Sequence, residues 1–273
     1  MDNSSAIGVF DSGLGGLTVA REVIRALPEE KIVYFGDTAR VPYGSKSAST
    51  IRHYAEQILA FLKTQDVKAI VVACNTVSAY ALEDLRHSVP VPVVGVVKPG
   101  ARVAAAATKN RRIGVIGTEG TVKSGLYERF ICEIDPGIRI FQKACPLFVP
   151  LVEEGWWKDS ITREVAERYL APLKEEGVDT LIMGCTHYPL IRKLIGEVIG
   201  PEVQLINPAY ETAQELMRVL SREQLLRTDK TPLTKEEQYR FYVSDAPEKF
   251  RAFAEAVLHF ETPDAERVNI EAY

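Results

Sequence analysis

Residues 6–37, AIGVFDSGLGGLTVAREVIRALPEEKIVYFGD, carry the pattern that decides the fold. AIGVF (6–10) is a short apolar run with strand composition, LTVAREVIRAL (17–27) places apolar residues at helical spacing, and KIVYFGD (31–37) returns to a strand pattern. Strand, helix and strand in succession predict a βαβ unit, because two parallel neighbours need a long crossover between them. The alternation continues outward through a helix near 47–64 and KAIVVA (68–73), then VPVVGVV (91–97), RIGVIG (112–117), IRIFQ (138–142), DTLIMG (179–184) and VQLIN (203–207). Strands this uniformly apolar suit a parallel sheet buried on both faces, so the fold class is α/β.

The chain also resembles itself. IGVFDSG (7–13) is similar to IGVIGTEG (113–120), and VVACNT (71–76) to IMGCTH (182–187), with comparable spacing between the two motifs in each half. Two related α/β halves would each offer one loop after a first strand and one cysteine after a later strand. Ligands of open parallel sheets bind beyond the carboxyl ends of the strands, so four such loops can line one cleft between two domains. Beyond about residue 221 the character changes: SREQLLRTDKTPLTKEEQ is charged and loop-like, YRFYVS is strand-like, and APEKFRAFAEAVLHF has helical spacing with Pro247 near its start. This tail is expected to pack on one domain as an extension.

Bulk properties exclude several classes. A net charge of -4 with scattered basic residues supplies no cationic footprint for a phosphate backbone, so nucleic acid is not an expected ligand. No run reaches the ~18–20 apolar residues of a membrane span, and MDNSSAIGVFDSG lacks the basic and apolar regions of a secretory signal, so no membrane association and a cytoplasmic location are expected. Four cysteines, Cys74, Cys132, Cys145 and Cys185, are too few for a disulfide scaffold and show no C-x-x-C spacing, so free thiols are the expectation.

Gly13-Leu14-Gly15-Gly16 after the first strand imitates a dinucleotide fingerprint, but the third glycine would fall on Thr18, and Asp11 would oppose a pyrophosphate. No Gly-Lys-Ser/Thr follows, which removes a P-loop. The glycines are instead expected to make a tight turn that offers Asp11, Ser12 and bare backbone N–H groups to an anionic ligand at a helix N-terminus.

Cys74 and Cys185 each follow an apolar strand and precede a polar triplet and a helix, Cys74-Asn75-Thr76 and Cys185-Thr186-His187. Backbone N–H groups at such junctions favour a thiolate. An ordinary buried-core role fits Cys132 and Cys145, which lack such neighbours. For Cys74 and Cys185 it fits poorly, because core packing does not call for Asn-Thr or Thr-His, whereas a carboxylate site needs their donors. Two thiols with carboxylate-binding neighbours suit inversion of a stereocentre, where one group removes a proton from one face of a carbon and the other returns one to the opposite face. The donors would hold the substrate and stabilise charge developing on its carboxylate.

FDSGLGGLTV (10–19), YFGDTARVPYG (34–44), VVACNT, VVGVVKPGA (93–101), GVIGTEGTVKSGLY (114–127), CPLFVPLVEEG (145–155) and GCTHYPLI (184–191) together closely resemble the bacterial glutamate racemases, in the aspartate/glutamate racemase family. Racemases of aspartate and of hydantoins share the paired cysteines, while the D-S-G-x-G-G-L-T and P-Y-G elements point to glutamate. The resemblance implies two pseudo-symmetric flavodoxin-like domains, 1–97 with 208–273 and 98–207, and an active site in the cleft. It implies Cys74 as base for D-glutamate, assisted by Asp11, and Cys185 as base for L-glutamate, assisted by His187 and Glu153. Substrate contacts would come from Asp11, Ser12, Tyr43, Gly44, Asn75, Thr76, Thr186 and His187, with Thr118 and Thr121 as second-tier candidates. It further implies no cofactor, no metal, a homodimer, and a D-glutamate product used in peptidoglycan synthesis.

Other residues stay open at this level. Asp37 and Arg40 are candidates either for substrate contact or for turn capping. Trp156 and Trp157 fit no catalytic motif and are candidates for a loop anchor or a dimer contact. His53, His87 and His259 lie in helical stretches and are expected at the surface or in packing roles. The competing functions are a racemase of aspartate or a hydantoin, and a non-catalytic module binding acidic amino acids. A pyridoxal phosphate enzyme is disfavoured, because no lysine stands in a Schiff-base context.

Overall fold

The computed structural model describes residues 2–273 and consists of two wholly parallel sheets with helices on their faces. The strands are β1 (Ala6–Asp11), β2 (Ile32–Gly36), β3 (Val67–Val72), β4 (Val93–Gly95), β5 (Arg112–Gly117), β6 (Arg139–Ala144), β7 (Thr180–Gly184), β8 (Gln204–Ile206), β9 (Tyr239–Val243) and β10 (Ala265–Arg267). The first sheet runs β10-β9-β2-β1-β3-β4 and the second β6-β5-β7-β8. The second sheet therefore repeats the 2-1-3-4 order at the heart of the first, and the internal similarity of the sequence maps onto it. β1 corresponds to β5 and β3 to β7.

The strand runs become strands because they are buried. β1, β2 and β7 are buried along their whole length, and β3 and β5 at all but their first residue. VPVVGVV yields only the three residues of β4, and Val97 already begins helix Val97–Ala107. Pro99 lies in the first turn of that helix, where its missing N–H removes no intrahelical bond. The tail supplies β9, which pairs with β2 from Ile32↔Tyr239 to Gly36↔Val243, then helix Pro247–Leu258, then β10 on the outer edge. β10 is three residues long and largely exposed, so no apolar pattern marks it; it is held by backbone pairing to β9.

One apolar cluster contains residues of both sheets, among them Val9, Val71, Val115 and Ile182, together with Phe250 of the tail helix, while a second fills the opposite face of the first sheet around Phe10, Val72, Phe61 and Leu62. Strand order reverses at β1 and at β5, and each reversal opens a crevice beyond the carboxyl ends of the central strands. Asp11 and Cys74 lie at the first crevice, Thr118 and Cys185 at the second. Among the described residues no helix is long and apolar enough to cross a membrane.

Candidate active site

The two crevices face one another across a small cavity with about 30 Å³ of free room. Ser12, Tyr43, Gly44, Cys74, Asn75 and Thr76 line it from the first sheet's side, and Thr118, Glu153, Cys185, Thr186 and His187 from the second. Val41, Pro42 and Val149 complete the lining. Pro42 belongs to the P-Y-G element, whereas Val41 and Val149 were not singled out in the sequence, since apolar wall residues carry no chemical signature. A water needs roughly 10–15 Å³ of such room, so the cavity is tight for an amino-acid ligand.

Cys74 occupies the N-cap position of helix Asn75–Tyr80, with extended backbone at φ −71° and ψ 123°. Its Sγ lies 3.5 Å from Ser12 Oγ. Contrary to the thiolate-favouring junction expected from the sequence, burial, reinforced by the nearby Asp11 carboxylate, pushes this thiol up to about 12, against hydrogen bonds from Ser12 and the Val77 amide. Across the cavity, Cys185 Sγ lies 3.8 Å from His187 Nδ1, and His187 Nε2 lies 3.1 Å from Glu153 Oε1. Burial works against a charged imidazole, but the hydrogen bonds to Cys185 and Glu153 prevail and raise His187 to about 10. Burial likewise raises Glu153, yet the contact with His187 outweighs it and holds its carboxyl below the usual range. The surroundings of His187 thus favour its protonated form, with its two ring nitrogens directed at Cys185 and Glu153.

Asp11 does not line the cavity. It lies beneath it, wholly buried, with Oδ2 accepting from Gly13 N at 3.1 Å and Gly16 N at 3.0 Å, while Oδ1 has no partner among the described residues. Burial raises its carboxyl above the ordinary value, opposed by His187 and by these amides. The amides of Gly13 and Gly16, expected to be bare, are therefore occupied by Asp11 itself. The glycines answer to close approach and not to a left-handed turn, since none of the three has positive φ. A Cβ on Gly16 would sit 2.3 Å from Asp11 Cβ, and one on Gly15 would sit 2.4 Å from His187 Nδ1.

Polar contacts tie the two sides together around the cavity. Tyr127 Oη donates to Asn75 Oδ1 at 2.7 Å, Thr18 Oγ1 to Thr186 O at 2.8 Å, and Tyr80 Oη to Gly120 O at 3.0 Å. Thr76, Thr118 and Thr121 share a hydroxyl cluster, with 2.8 Å between Thr76 and Thr118. Tyr43 lines the cavity, while its phenol donates to Asp37, which does not. Cys145 is buried away from the cavity with Sγ against Lys143 O, and burial pushes its thiol up, as suits a core residue. Among the described residues no cluster of three or more His, Cys, Asp or Glu side chains is arranged to hold a metal ion.

Two thiols on opposite walls of one buried cavity, each with its own ionisable neighbour, is an arrangement for moving protons on both sides of one atom. The family model described as Asp/Glu/Hydantoin racemase matches residues 7–216. The chain belongs to this family. It is 50% identical over 267 residues to a glutamate racemase of Geobacter metallireducens, covering 98% of this chain and 97% of that one. Its fold is similar to that of a glutamate racemase from Francisella tularensis solved in complex with D-glutamate, with TM-score 0.92 and 39% identity over 99% and 100% of the two chains. It is likewise similar to a glutamate racemase from Thermus thermophilus solved in complex with beta-chloro-D-alanine, with TM-score 0.88 and 46% identity over the whole of both chains. As a member of the family the chain is an isomerase of the racemase class, and its two-domain α/β fold is the fold of these relatives.

Proposed function

We propose that this chain interconverts L- and D-glutamate by a two-thiol proton transfer that needs no cofactor. The observation that carries the reading is the placement of Cys74 and Cys185, from equivalent strands of two sheets, on facing walls of one cavity. With D-glutamate bound, the Cys74 thiolate takes the α-proton and the Cys185 thiol gives its proton to the opposite face; with L-glutamate the roles reverse. Atoms and charge balance in either direction, one C–H bond and one S–H bond breaking as one of each forms. His187 holds a proton at Nδ1 beside the Cys185 sulfur and is fixed through Nε2 by Glu153. Asp11, buried under Cys74 with its carboxyl raised above the ordinary value, is the ionisable group on the first side.

Substrate carboxylates are assigned to the polar lining: Ser12, Asn75, Thr76, Thr186 and the backbone of Tyr43 and Gly44, whose N–H groups open a 3-10 turn and so lack intrahelical partners. Segments 1–97 with 208–273 and 98–207 are the two bodies that part to admit the ligand. Family resemblance supports glutamate over aspartate, and the use of D-glutamate in peptidoglycan synthesis.

The test is incubation of the protein, freed of pyridoxal phosphate and metal, with L-glutamate in D₂O. Expected are loss of optical activity and α-deuterium in the D-product, with both lost in Cys74→Ala and in Cys185→Ala. Full turnover in either variant overturns the two-thiol mechanism, and inversion of aspartate in preference to glutamate overturns the substrate.

A further inference from the structure

Asp37 and Arg40 lie next to the cavity wall, yet neither reaches the cavity. Asp37 is wholly buried at the end of β2, and its oxygens are already committed: Oδ1 accepts from Ser244 Oγ at 2.7 Å, and Oδ2 accepts from Arg40 Nε at 2.7 Å and from the Tyr43 phenol. The Arg40 guanidinium lies 3.9 Å from the centre of the Tyr54 ring and donates through Nη1 to Gln57 Oε1 at 2.5 Å and to Glu271 Oε1 at 3.0 Å. Both Asp37 oxygens and the Arg40 Nε and Nη1 are taken by protein partners, while Arg40 Nη2, buried and without a partner among the described residues, lies outside the cavity lining. Asp37 and Arg40 together hold Tyr43, and with it the turn Tyr43–Ser45, whose first two residues line one wall.

That wall has little freedom. A Cβ on Gly44 would sit 2.5 Å from Thr118 Cβ, so the turn already lies against the other sheet's loop, and a small displacement changes the room for a ligand. Arg40 and Tyr43 hold Asp37 from nearby in the chain, and the far end of the chain adds Ser244 on Asp37 and Glu271 on Arg40. Ser244 follows β9, accepts from Ala39 N at 2.8 Å and donates to Asp37; Glu271 belongs to the terminal turn Ile270–Ala272.

We infer that Asp37 is a positioning residue for substrate binding, and that the C-terminal segment acts on the site through it, chiefly by way of Ser244. The inference rests on the reading of this cavity as a glutamate site, and it assigns a role in that site to a segment that lines none of it. Ser244 is buried and its bond is made to a carboxylate, whereas the Glu271 side chain is 64% exposed, so its pairing with Arg40 is screened and counts for less.

The experiment compares Ser244→Ala, Ser244→Thr, Glu271→Gln and Tyr43→Phe by steady-state racemisation of D- and L-glutamate. Loss of the Ser244 hydroxyl is expected to raise KM about fivefold with kcat little changed, the pattern of lost uniform binding. Ser244→Thr, which keeps the hydroxyl, restores KM, and Glu271→Gln shifts it by less than about twofold. Tyr43→Phe raises KM on its own, and adding Ser244→Ala to it has little further effect, because both act through one bond network. Additive effects of the two substitutions, or a Ser244→Ala variant that loses kcat and thermal stability with KM unmoved, overturn the inference. Wild-type turnover of glutamate reports separately on the site reading, so the two failures are told apart.

Discussion

The side chain on which the second half of the site depends is His187. A buried imidazole ordinarily loses its proton, because charge is expensive away from water. Here the hydrogen bonds to Cys185 and Glu153 reverse that outcome and raise the group from 6.5 to about 10. The native protein therefore holds a proton that the unfolded chain releases above about pH 6.5, and unfolding becomes easier as pH rises towards 10. The contribution is fully present below 6.5 and lost through 10. Thermal melts between pH 7 and 10 are expected to show a downward slope that is shallower in His187→Asn; equal slopes would mean that His187 is neutral in the folded protein. At acid pH the sign reverses, because Glu153 is held below its ordinary value and loses its favourable pairing as pH falls. The candidacy of Cys74, Cys185 and His187 was legible in the triplets Cys-Asn-Thr and Cys-Thr-His. The partnership of Glu153 with His187 was implied only by resemblance, since a helix-end acid has no local signature.

At the level of elements, the tail proves to be a brace. Helix Pro247–Leu258 presents Phe253 edge-on to Trp157, with ring centroids 6.3 Å apart, and Trp157 Nε1 donates to Val152 O at 2.8 Å, immediately before Glu153. Of the two tryptophans left open by the sequence, Trp157 is an anchor between the tail helix and the segment that carries Glu153, while Trp156 is 44% exposed. Replacing Trp157 with Ala removes an aromatic pair and leaves a gap that is only partly enclosed. A loss of about 2 kcal/mol is expected, below the roughly 3–5 typical of fully buried aromatics, and is measurable from the urea midpoint. A change below about 0.5 kcal/mol would show that the contact carries no packing energy. The helical spacing of 247–258 was readable from sequence, but its partner was not. Packing between segments some ninety residues apart leaves no periodic trace in either.

The whole molecule ties two sheets into a single cooperative object. Its larger apolar cluster draws on both, and Tyr127, Thr18, Tyr80 and the threonine cluster bond across the cavity. A ligand that bridges the two walls should therefore stabilise the whole chain. At a hundredfold excess over its dissociation constant, glutamate is expected to add about 2.7 kcal/mol. For a chain of this size that corresponds to a rise of roughly 5–10 °C in a single melting transition. Two transitions, of which glutamate moves one alone, would mean that the halves unfold separately.

Sequence by itself determined the class of the fold, the pairing of its halves and the two thiols. These follow from local apolar runs, from self-similarity and from chemical groups adjacent along the chain, all of which survive without coordinates. The tertiary structure decided the rest. It showed that Asp11 occupies the amides its own glycines were expected to offer, and that Asp37 accepts from Arg40 and Tyr43 outside the cavity lining. It also placed Lys68, in the apolar run KAIVVA, fully buried against Glu30 at 2.5 Å. In each case the deciding quantity is how many partners a buried polar atom has already satisfied. That depends on how the backbone turns even when the partners are near, as for Asp11 and Gly16, and on distant segments when they are not, as for Asp37 and Ser244.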